Sequence, residues 1–346
     1  MSDAKIKCSD AHICILGIET SCDETAAAVL RNGRELLSHV ISSQITIHQK
    51  YGGVVPEIAS REHLLHFQQV VEKAMTEAKL DYGDLDAIAV TYGPGLVGSL
   101  LVGVAGAKAI AYAAGVPLIG VNHLEAHICA NFLVHPHLAF PCLALLVSGG
   151  HTHLILLRGQ ADYEVLGRTR DDAAGEALDK VARTLGLGYP GGPQVQKAAA
   201  AGNAAAFDFP RAMLEPGSLD FSFSGMKSAV LNTLNTARMK GLSLCVPDLA
   251  ASFQQAVVDV LVRKTLLAVE QTGVKRVLLA GGVAANELLR TTLTRELKER
   301  DGRLFFPPPQ LCTDNGAMVA SAGYYRYLAR DFAPWTLNAV PGLNLT

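Results

Sequence analysis

The stretch Ile13-Cys-Ile-Leu-Gly-Ile-Glu-Thr-Ser-Cys-Asp-Glu-Thr-Ala-Ala-Ala-Val-Leu30 decides the fold of this chain. Two apolar runs flank a polar turn, Glu19 to Glu24, and this pattern predicts a β-hairpin. Leu143 to Leu157 repeats the plan around the turn Ser148-Gly-Gly-His-Thr152. The repetition predicts a duplicated architecture.

Strand and helix patterns alternate after each hairpin, which predicts a layered α/β protein with two lobes. We place the boundary between the lobes near Pro136 to Pro141. The predicted N-terminal lobe is 1–137, completed by a C-terminal helix at about 316–333, and the C-terminal lobe is 138–315. The predicted helices are 58–79, 98–114, 173–185, 247–271 and 316–330, the predicted strands include 87–91 and 276–280, and 189–193 is predicted to be a loop.

Composition and net charge limit the classes of protein to which this chain can belong. The formal net charge of −2 over 346 residues gives no global basic field that would attract nucleic acid or a membrane surface. The seven cysteines show no C-x-x-C spacing, which is typical of reduced thiols in a cytosolic protein. Met1 to Asp10 is polar and lacks the apolar core of a signal peptide, so we expect a cytoplasmic location.

The apolar stretch Leu96 to Val121 is long enough to span a bilayer. Lys108 lies at its centre, where membrane insertion of a lysine costs about 2.5–3.5 kcal/mol. Glycines and Pro117 also divide the stretch, so we interpret it as a glycine-rich helix followed by a strand, and we expect no membrane partner.

Three glycine turns follow predicted strands or loops, at 148–152, 191–193 and 281–282. Such turns let backbone N–H groups approach an anion, and helix N-termini add a favourable dipole. Together with the acid- and hydroxyl-rich hairpin turn, they predict a nucleotide site. We do not expect a P-loop or a Rossmann dinucleotide fold, and no Walker A motif is present.

His123-Leu-Glu-Ala-His127 is a candidate metal site, because histidines at i and i+4 share one face of a helix. Asp314 in Cys312-Thr-Asp-Asn-Gly316 is the candidate third ligand, and two histidines with one carboxylate suit catalytic iron or zinc. The alternatives are two surface histidines and a helix N-cap at Asp314. Glu125 is two positions from His123, not one, which argues against a metalloprotease.

These residues resemble one family closely, the TsaD family of tRNA adenosine threonylcarbamoyltransferases, once misnamed O-sialoglycoprotein endopeptidases. The resemblance runs in order from about Ile13 to Arg330. The matching motifs are Gly17-Ile-Glu-Thr-Ser-Cys-Asp-Glu-Thr25, His123-Leu-Glu-Ala-His127, Val147-Ser-Gly-Gly-His-Thr152, Asp171-Asp-Ala-Ala-Gly-Glu176, Tyr189-Pro-Gly-Gly-Pro193, Phe221-Ser-Phe-Ser-Gly225, Gly281-Gly-Val-Ala-Ala-Asn286 and Cys312-Thr-Asp-Asn-Gly316.

The resemblance implies two ribonuclease-H-like lobes of the actin/Hsp70/sugar-kinase (ASKHA) fold, with the active site in the cleft. It implies transfer of threonylcarbamoyl from threonylcarbamoyl-AMP to the exocyclic amine of the adenine 3′ of the anticodon, at position 37. It also implies the partner subunits TsaB and TsaE, and one divalent ion per subunit, for which we expect Fe²⁺ with Zn²⁺ as the alternative.

The resemblance assigns roles to particular residues of this chain. The implied metal ligands are His123, His127 and Asp314. Gln196 stands where many members have a carboxylate that binds ribose, so we expect weaker or altered ribose recognition, and 1–12 has no assigned role. The implied substrate contacts are Leu146, Val147, Ser148, Gly149, Gly150, Asp179, Gly192 and Asn286.

For the chemistry, Asp23 or Glu24 is predicted to accept the amine proton, because an acid at a hairpin turn projects from the sheet. The alternative for both acids is turn chemistry and solvation. Cys22 is interpreted as a small buried residue, not a nucleophile. The rival functions are an ATPase or sugar kinase of the same fold, a non-catalytic nucleotide-dependent module, and the disfavoured metalloprotease.

Overall fold

The computed structural model describes residues 12–213 and 215–345. The polar start of the chain, Cys8 and most of the segment without an assigned role lie outside these ranges. The described chain divides into two compact units. The first consists of residues up to Ile47, Val54–Leu138 and Thr313–Leu345, and the second of His48–Gly53 and Ala139–Cys312.

The strands and helices alternate along the chain as the sequence patterns predict. The strands are β1 Cys14–Glu19, β2 Glu24–Arg31, β3 Glu35–Ser43, β4 Ala87–Gly93, β5 Leu118–Asn122, β6 Cys142–Val147, β7 Thr152–Gly159, β8 Asp162–Arg168, β9 Arg276–Ala280 and β10 Arg303–Phe305. The helices are α1 Ile45–His48, α2 Pro56–Ala78, α3 Val97–Ala114, α4 His123–Val134, α5 Ala174–Thr184, α6 Gly191–Ala199, α7 Ser224–Met239, α8 Val246–Thr272, α9 Glu287–Lys298 and α10 Gly316–Leu328.

Each unit contains one five-stranded sheet, and the two sheets have the same topology. The strand order is β3-β2-β1-β4-β5 in the first unit and β10-β9-β6-β7-β8 in the second. In both, an antiparallel three-stranded meander is followed by two strands that run parallel to its first strand. The predicted duplication is therefore confirmed.

The first strand of each sheet is buried along its whole length, which explains why β1 and β6 read as continuous apolar runs. In the first unit, α10 packs on β1 at unusually short range. A Cβ atom added to Gly17 would lie 2.3 Å from the Ala320 nitrogen and from the Gly316 oxygen. Glycine at position 17 therefore lets α10 lie directly on the sheet, and α10 begins just after Asp314.

The apolar stretch at 96–121 forms α3, a glycine turn and β5, as interpreted from its sequence. Helix α3 is long and apolar enough to cross a membrane by length and composition alone, with a mean hydropathy of 1.6 and 33% of its residues buried. One such helix is weak evidence, since core helices of soluble proteins have the same properties.

Two segments differ from the sequence prediction. The segment 189–193 is not all loop, because Gly191 already begins α6. The carboxylate of Asp179 accepts a hydrogen bond from the Gly191 nitrogen, a tertiary contact that local sequence does not reveal. Asp314, which the predicted boundary assigns to the C-terminal lobe, belongs to the first unit because it leads directly into α10.

Candidate metal and nucleotide site

His123 and His127 are brought together by helix α4, which starts immediately after β5. The side chain of Asn122 caps this helix by accepting a hydrogen bond from the Leu124 nitrogen. The two imidazole rings lie one turn apart with their centroids 4.6 Å from each other. Both histidines are buried, at 7% and 1% exposure, so they are not the surface pair that was the alternative interpretation.

Asp314 lies beside this pair. Its Oδ1 is 3.2 Å from Nε2 of His127 and 3.7 Å from Nε2 of His123, and one ligand atom from each of the three residues lies within 4.8 Å of the other two. The N-cap of α10 is Asn315, whose side chain accepts from the Met318 nitrogen. Helix capping therefore does not account for Asp314.

The donors fit a divalent metal ion. Both ring nitrogens of His127 are buried, and neither makes a hydrogen bond to any residue in the described ranges, although Nε2 lies 3.2 Å from Oδ1 of Asp314. A buried imidazole without hydrogen bonds is costly unless something else uses its lone pair. Two imidazoles and one carboxylate are the donor set of catalytic iron and zinc sites with open positions. A metal ion is therefore compatible with these three residues.

Two nearby carboxylates determine the pKa of His123. Burial alone would lower the pKa of His123, but the carboxylates of Asp314 and Glu19 raise it to about 9. Glu19 is fully buried at the end of β1 and was not identified from the sequence. The only feature of the sequence that marks Glu19 is its position, as an acid at the end of an otherwise apolar strand.

The hairpin turn contains the two predicted proton acceptors, Asp23 and Glu24. Asp23 is buried, and Glu24 accepts a hydrogen bond from the hydroxyl of Ser43. Burial, with the charges of Asp23 and Asp314, raises the pKa of Glu24 well above its usual range. The turn therefore lies within the electrostatic reach of the metal-ligand candidates.

Cys22 occupies the same turn. Burial first, and then the negative charges of Asp23, Asp314 and Glu24, raise the pKa of its thiol well above the usual value. Because the thiolate is the nucleophilic form of cysteine, this environment disfavours a nucleophilic role, as interpreted from the sequence. The side chain is half-buried, however, and not fully buried as the sequence interpretation had it.

His63 of α2 contacts the hairpin turn between β1 and β2 through both of its ring nitrogens. Its Nδ1 lies 2.8 Å from the hydroxyl of Thr25, and its Nε2 lies 3.0 Å from the carbonyl oxygen of Cys22. Both ring nitrogens of this buried histidine therefore fix the backbone that presents Asp23 and Glu24.

In the second unit, two of the three predicted glycine turns meet. Leu146 and Val147 end β6. In the turn after them, the Ser148 nitrogen donates to the His151 oxygen, and the His151 nitrogen donates to the Ser148 hydroxyl. A Cβ atom on Gly281 would lie 2.4 Å from the Val147 oxygen. By contrast, a Cβ atom on Gly149 or Gly150 would meet no atom within 4 Å.

The third glycine turn is joined to Asp179. Oδ1 of Asp179 accepts a hydrogen bond of 2.6 Å from the Gly191 nitrogen, and this contact fixes the start of α6 beside α5. A Cβ atom on Gly192 would meet no atom within 4 Å. The Asp179 carboxylate, which the resemblance implies contacts the substrate, thus also positions the glycine turn.

Asn286 and Gln196 both serve the N-terminus of α9. Asn286 caps the helix through the Leu289 nitrogen and donates its amide to Gln254. Oε1 of Gln196 accepts from the Glu287 nitrogen at 2.9 Å. The residue that replaces the usual carboxylate therefore has a structural hydrogen bond of its own.

The segment Gly93-Pro-Gly-Leu-Val-Gly98 has the G-x-G-x-x-G spacing and connects β4 to α3, so excluding a dinucleotide site requires a structural reason. The Gly95 nitrogen donates to the Pro341 oxygen, and the Leu96 nitrogen donates to the Ser21 oxygen. Two of the N–H groups that would bind a pyrophosphate are therefore already used by hydrogen bonds within the chain.

The comparisons with known proteins agree with one another. The family model described as TsaD, tRNA N6-adenosine threonylcarbamoyltransferase, matches residues 35–321. The chain belongs to the TsaD family. A tRNA N6-adenosine threonylcarbamoyltransferase of Desulfitobacterium hafniense (strain Y51) is 74% identical over 337 residues, covering 97% of this chain and 99% of the relative. Its counterpart in Moorella thermoacetica is 57% identical over 331 residues, covering 96% and 97%. TsaD proteins are transferases that modify tRNA.

Solved structures establish the fold class. Full-length HypF in its phosphate- and nucleotide-bound form matches 92% of this chain and 46% of its own length, with a TM-score of 0.60 and 14% identity. Component A of (R)-2-hydroxyglutaryl-CoA dehydratase from Acidaminococcus fermentans matches 92% and 99%, with a TM-score of 0.54 and 17% identity. These likenesses, with the two five-stranded sheets, confirm the ASKHA-type fold.

Proposed function

We propose that this chain transfers the threonylcarbamoyl group of threonylcarbamoyl-AMP to the exocyclic amine of adenine 37 in tRNAs that read codons beginning with adenine. The family membership supports transfer to tRNA adenosine. The observation that carries the site assignment is the cluster of His123, His127 and Asp314 in a chain with this family relationship. In the reaction, the amine nitrogen attacks the carbamoyl carbon, the bond from that carbon to the phosphate oxygen breaks, and AMP leaves.

The first unit contributes the metal ligands and the proton acceptor. His123, His127 and Asp314 would hold one divalent ion, which we propose to be Fe²⁺, with Zn²⁺ as the alternative. When bound, the ion supplies Lewis-acid polarisation of donor oxygens and a template for the leaving phosphate. Asp23 or Glu24 accepts the proton that the amine loses, and a carboxylate with a raised pKa is the stronger acceptor once it is ionised.

The second unit contributes the contacts to the adenylate. Backbone N–H groups of Gly149 and Gly150 hold phosphate oxygens, because the open space at both glycines admits a close approach. Ser148 contacts the substrate by other atoms, because its N–H donates to the His151 oxygen. Asp179 and Gly192 contact the ribose and the nucleotide backbone. We assign the remaining substrate contacts to Leu146, Val147 and Asn286, as the family resemblance implies.

The partner subunits are proposed to be TsaB and TsaE, and the location the cytoplasm. Four exposed apolar side chains on the two packed helices α2 and α3, which we call the α2–α3 face, support a protein partner: Leu64, Leu65, Val97 and Leu101 are each 45–67% exposed. Exposed apolar patches of this kind mark protein interfaces. We assign this face to TsaB, and Leu64→Glu combined with Leu101→Glu should abolish co-purification with TsaB while leaving the metal content unchanged.

The direct test compares two carboxylate substitutions. Asp314→Asn and Asp314→Ala should abolish threonylcarbamoyl transfer to unmodified tRNA in a single-turnover assay and should lower the bound metal to background. Asp301→Asn is the matched control, because its side chain is 95% exposed. Full transfer activity of Asp314→Ala in metal-free buffer would refute the assignment. Elemental analysis of the purified protein distinguishes iron from zinc.

A further inference from the structure

The buried carboxylate of Glu19 lies directly behind one of the metal-ligand candidates. Its Oε2 is 3.2 Å from Nδ1 of His123, and Glu19 itself has no solvent exposure. The other ring nitrogen of His123, Nε2, faces Asp314 at 3.7 Å. Each ring nitrogen therefore faces a different carboxylate, and Nδ1 also lies 3.2 Å from the hydroxyl of Ser21.

The Glu19 carboxylate is held in place by further hydrogen bonds. Its Oε1 accepts from the Ser21 nitrogen at 2.6 Å, and its Oε2 accepts from the hydroxyl of Thr91 at 2.7 Å. These donors lie on the hairpin turn and on β4, so the carboxylate is fixed to the sheet from two sides. A carboxylate that is fixed in this way imposes an orientation on the ring that it contacts.

His127 lacks such a partner. Neither of its ring nitrogens makes a hydrogen bond within the described part of the chain, and its one acidic neighbour there is Asp314 itself, 3.2 Å from Nε2. The two histidines are therefore not equivalent, because only the ring of His123 has an acidic partner on the side away from Asp314. Any effect of Glu19 should act on His123.

We propose that Glu19 is a positioning residue that holds the His123 ring through Nδ1, so that Nε2 is the nitrogen presented to the metal ion. This inference rests on the proposed metal site at His123, His127 and Asp314. A neutral imidazole has one protonated and one unprotonated nitrogen, and the hydrogen bond made by the first decides which nitrogen can act as a ligand. Glu19 thus prepares the site before the ion binds.

The substitution Glu19→Gln tests this inference with a nearly isosteric side chain. If the new amide group faces His123, it donates to Nδ1 and moves the ring proton to Nε2, where it blocks the ligand position. If the amide turns around, its NH₂ group meets the N–H of Ser21, which is also a donor. Either arrangement opposes metal binding.

We expect Glu19→Gln to bind Co²⁺ and Zn²⁺ about 10- to 100-fold more weakly in chelator competition, as is typical for loss of a partner that orients a metal ligand. Histidine ¹⁵N NMR of the metal-free full chain, recorded above pH 9 where His123 is neutral, should show His123 changing from the Nδ1–H to the Nε2–H tautomer. Glu19→Asp is the second variant, since it keeps the charge but shortens the reach to His123, and it should weaken binding similarly.

Asp86→Asn is the matched control, because Asp86 is also a buried carboxylate of the first unit and accepts a hydrogen bond from the Cys14 nitrogen at the opposite end of β1. It should lower the unfolding midpoint without changing metal affinity. If the Glu19 variants bind metal as tightly as the native chain while His127→Ala does not, this inference is wrong and the proposed function stands. If the native chain itself binds no divalent ion, the proposed metal site fails first.

Discussion

Nε and Nη2 of Arg326 both donate to the same carboxylate oxygen of Glu125, at 2.9 and 2.7 Å. Glu125 is 3% exposed and lies on α4 between the two histidines of the candidate metal site. Its partner lies on α10, the helix that follows Asp314. The acid within the His123–His127 motif therefore joins two helices, which agrees with the sequence argument against a metalloprotease.

This ion pair should contribute to stability and not to chemistry. Glu125→Gln removes one partner of a largely buried pair, and we expect a loss of about 1–3 kcal/mol, less than for a fully buried pair because Arg326 is partly exposed. Urea unfolding measures the loss, and Arg326→Gln should add little in the double variant. Loss of metal at unchanged stability would place Glu125 in the metal site instead.

Gly17 should tolerate no side chain. Gly17→Ala places a methyl group 2.3 Å from backbone atoms of α10, and we expect a cost of about 1–3 kcal/mol or more, because backbone cannot move aside as a flexible side chain can. The control is Gly83→Ala in the same unit, whose new Cβ meets nothing within 4 Å. Equal unfolding midpoints for the two variants would contradict the close packing of α10 on β1.

His153 should make the stability of the second unit depend on pH. Burial, and then the charge of Arg168, lower the pKa of His153 to about 4, whereas an unfolded histidine titrates near 6.5. Between these values the unfolded chain binds more protons than the folded chain, so the free energy of unfolding should fall as the pH drops from about 6.5 to 4.

Chemical unfolding of His153→Leu and the native chain at several pH values tests this dependence. The variant should lose less stability than the native chain on acidification, because the proton uptake of His153 is removed. His137→Leu, at an exposed position, is the control and should follow the native profile. Parallel profiles for His153→Leu and the native chain would show that burial of His153 does not affect the pH dependence.

Gln196→Glu should strengthen nucleotide binding. Gln196 accepts a hydrogen bond from the Glu287 nitrogen at the start of α9, and a carboxylate at that position gains about 0.3–1 kcal/mol from the helix dipole. A carboxylate also accepts hydrogen bonds from ribose hydroxyls more strongly than an amide does. We expect several-fold tighter AMP binding by calorimetry, with Gln194→Glu as the neighbouring control, and an unchanged affinity would refute the expectation.

Much of this arrangement could be predicted from the sequence because it depends on local periodicity. The two hairpins, the long helices and the i, i+4 histidines all follow from patterns within short windows, and helix α8 was predicted to within one residue at each end. The approach of Asp314 to the histidines followed from the chemistry that a metal site needs and from the family resemblance, not from local pattern.

The missed features depend on contacts between segments far apart in the chain. The start of α6 at Gly191 depends on Asp179, and the role of Glu125 depends on Arg326. Glu19 has no local signature, because an acid at the end of a strand is ordinarily solvated. Only the contacts of its side chain with Thr91 on β4 and His123 on α4 show that this acid is buried and faces a histidine.

The close fit of α10 on Gly17 has a consequence for the order in which the protein is made. Residues of α10 leave the ribosome after Ala139–Cys312, so the second unit can be completed first although the first unit begins earlier. Until then the face of the N-terminal sheet around Gly17 is uncovered. His123 and His127 have been synthesised by this stage, but Asp314 has not. The candidate metal site can therefore form only after the second unit has been synthesised.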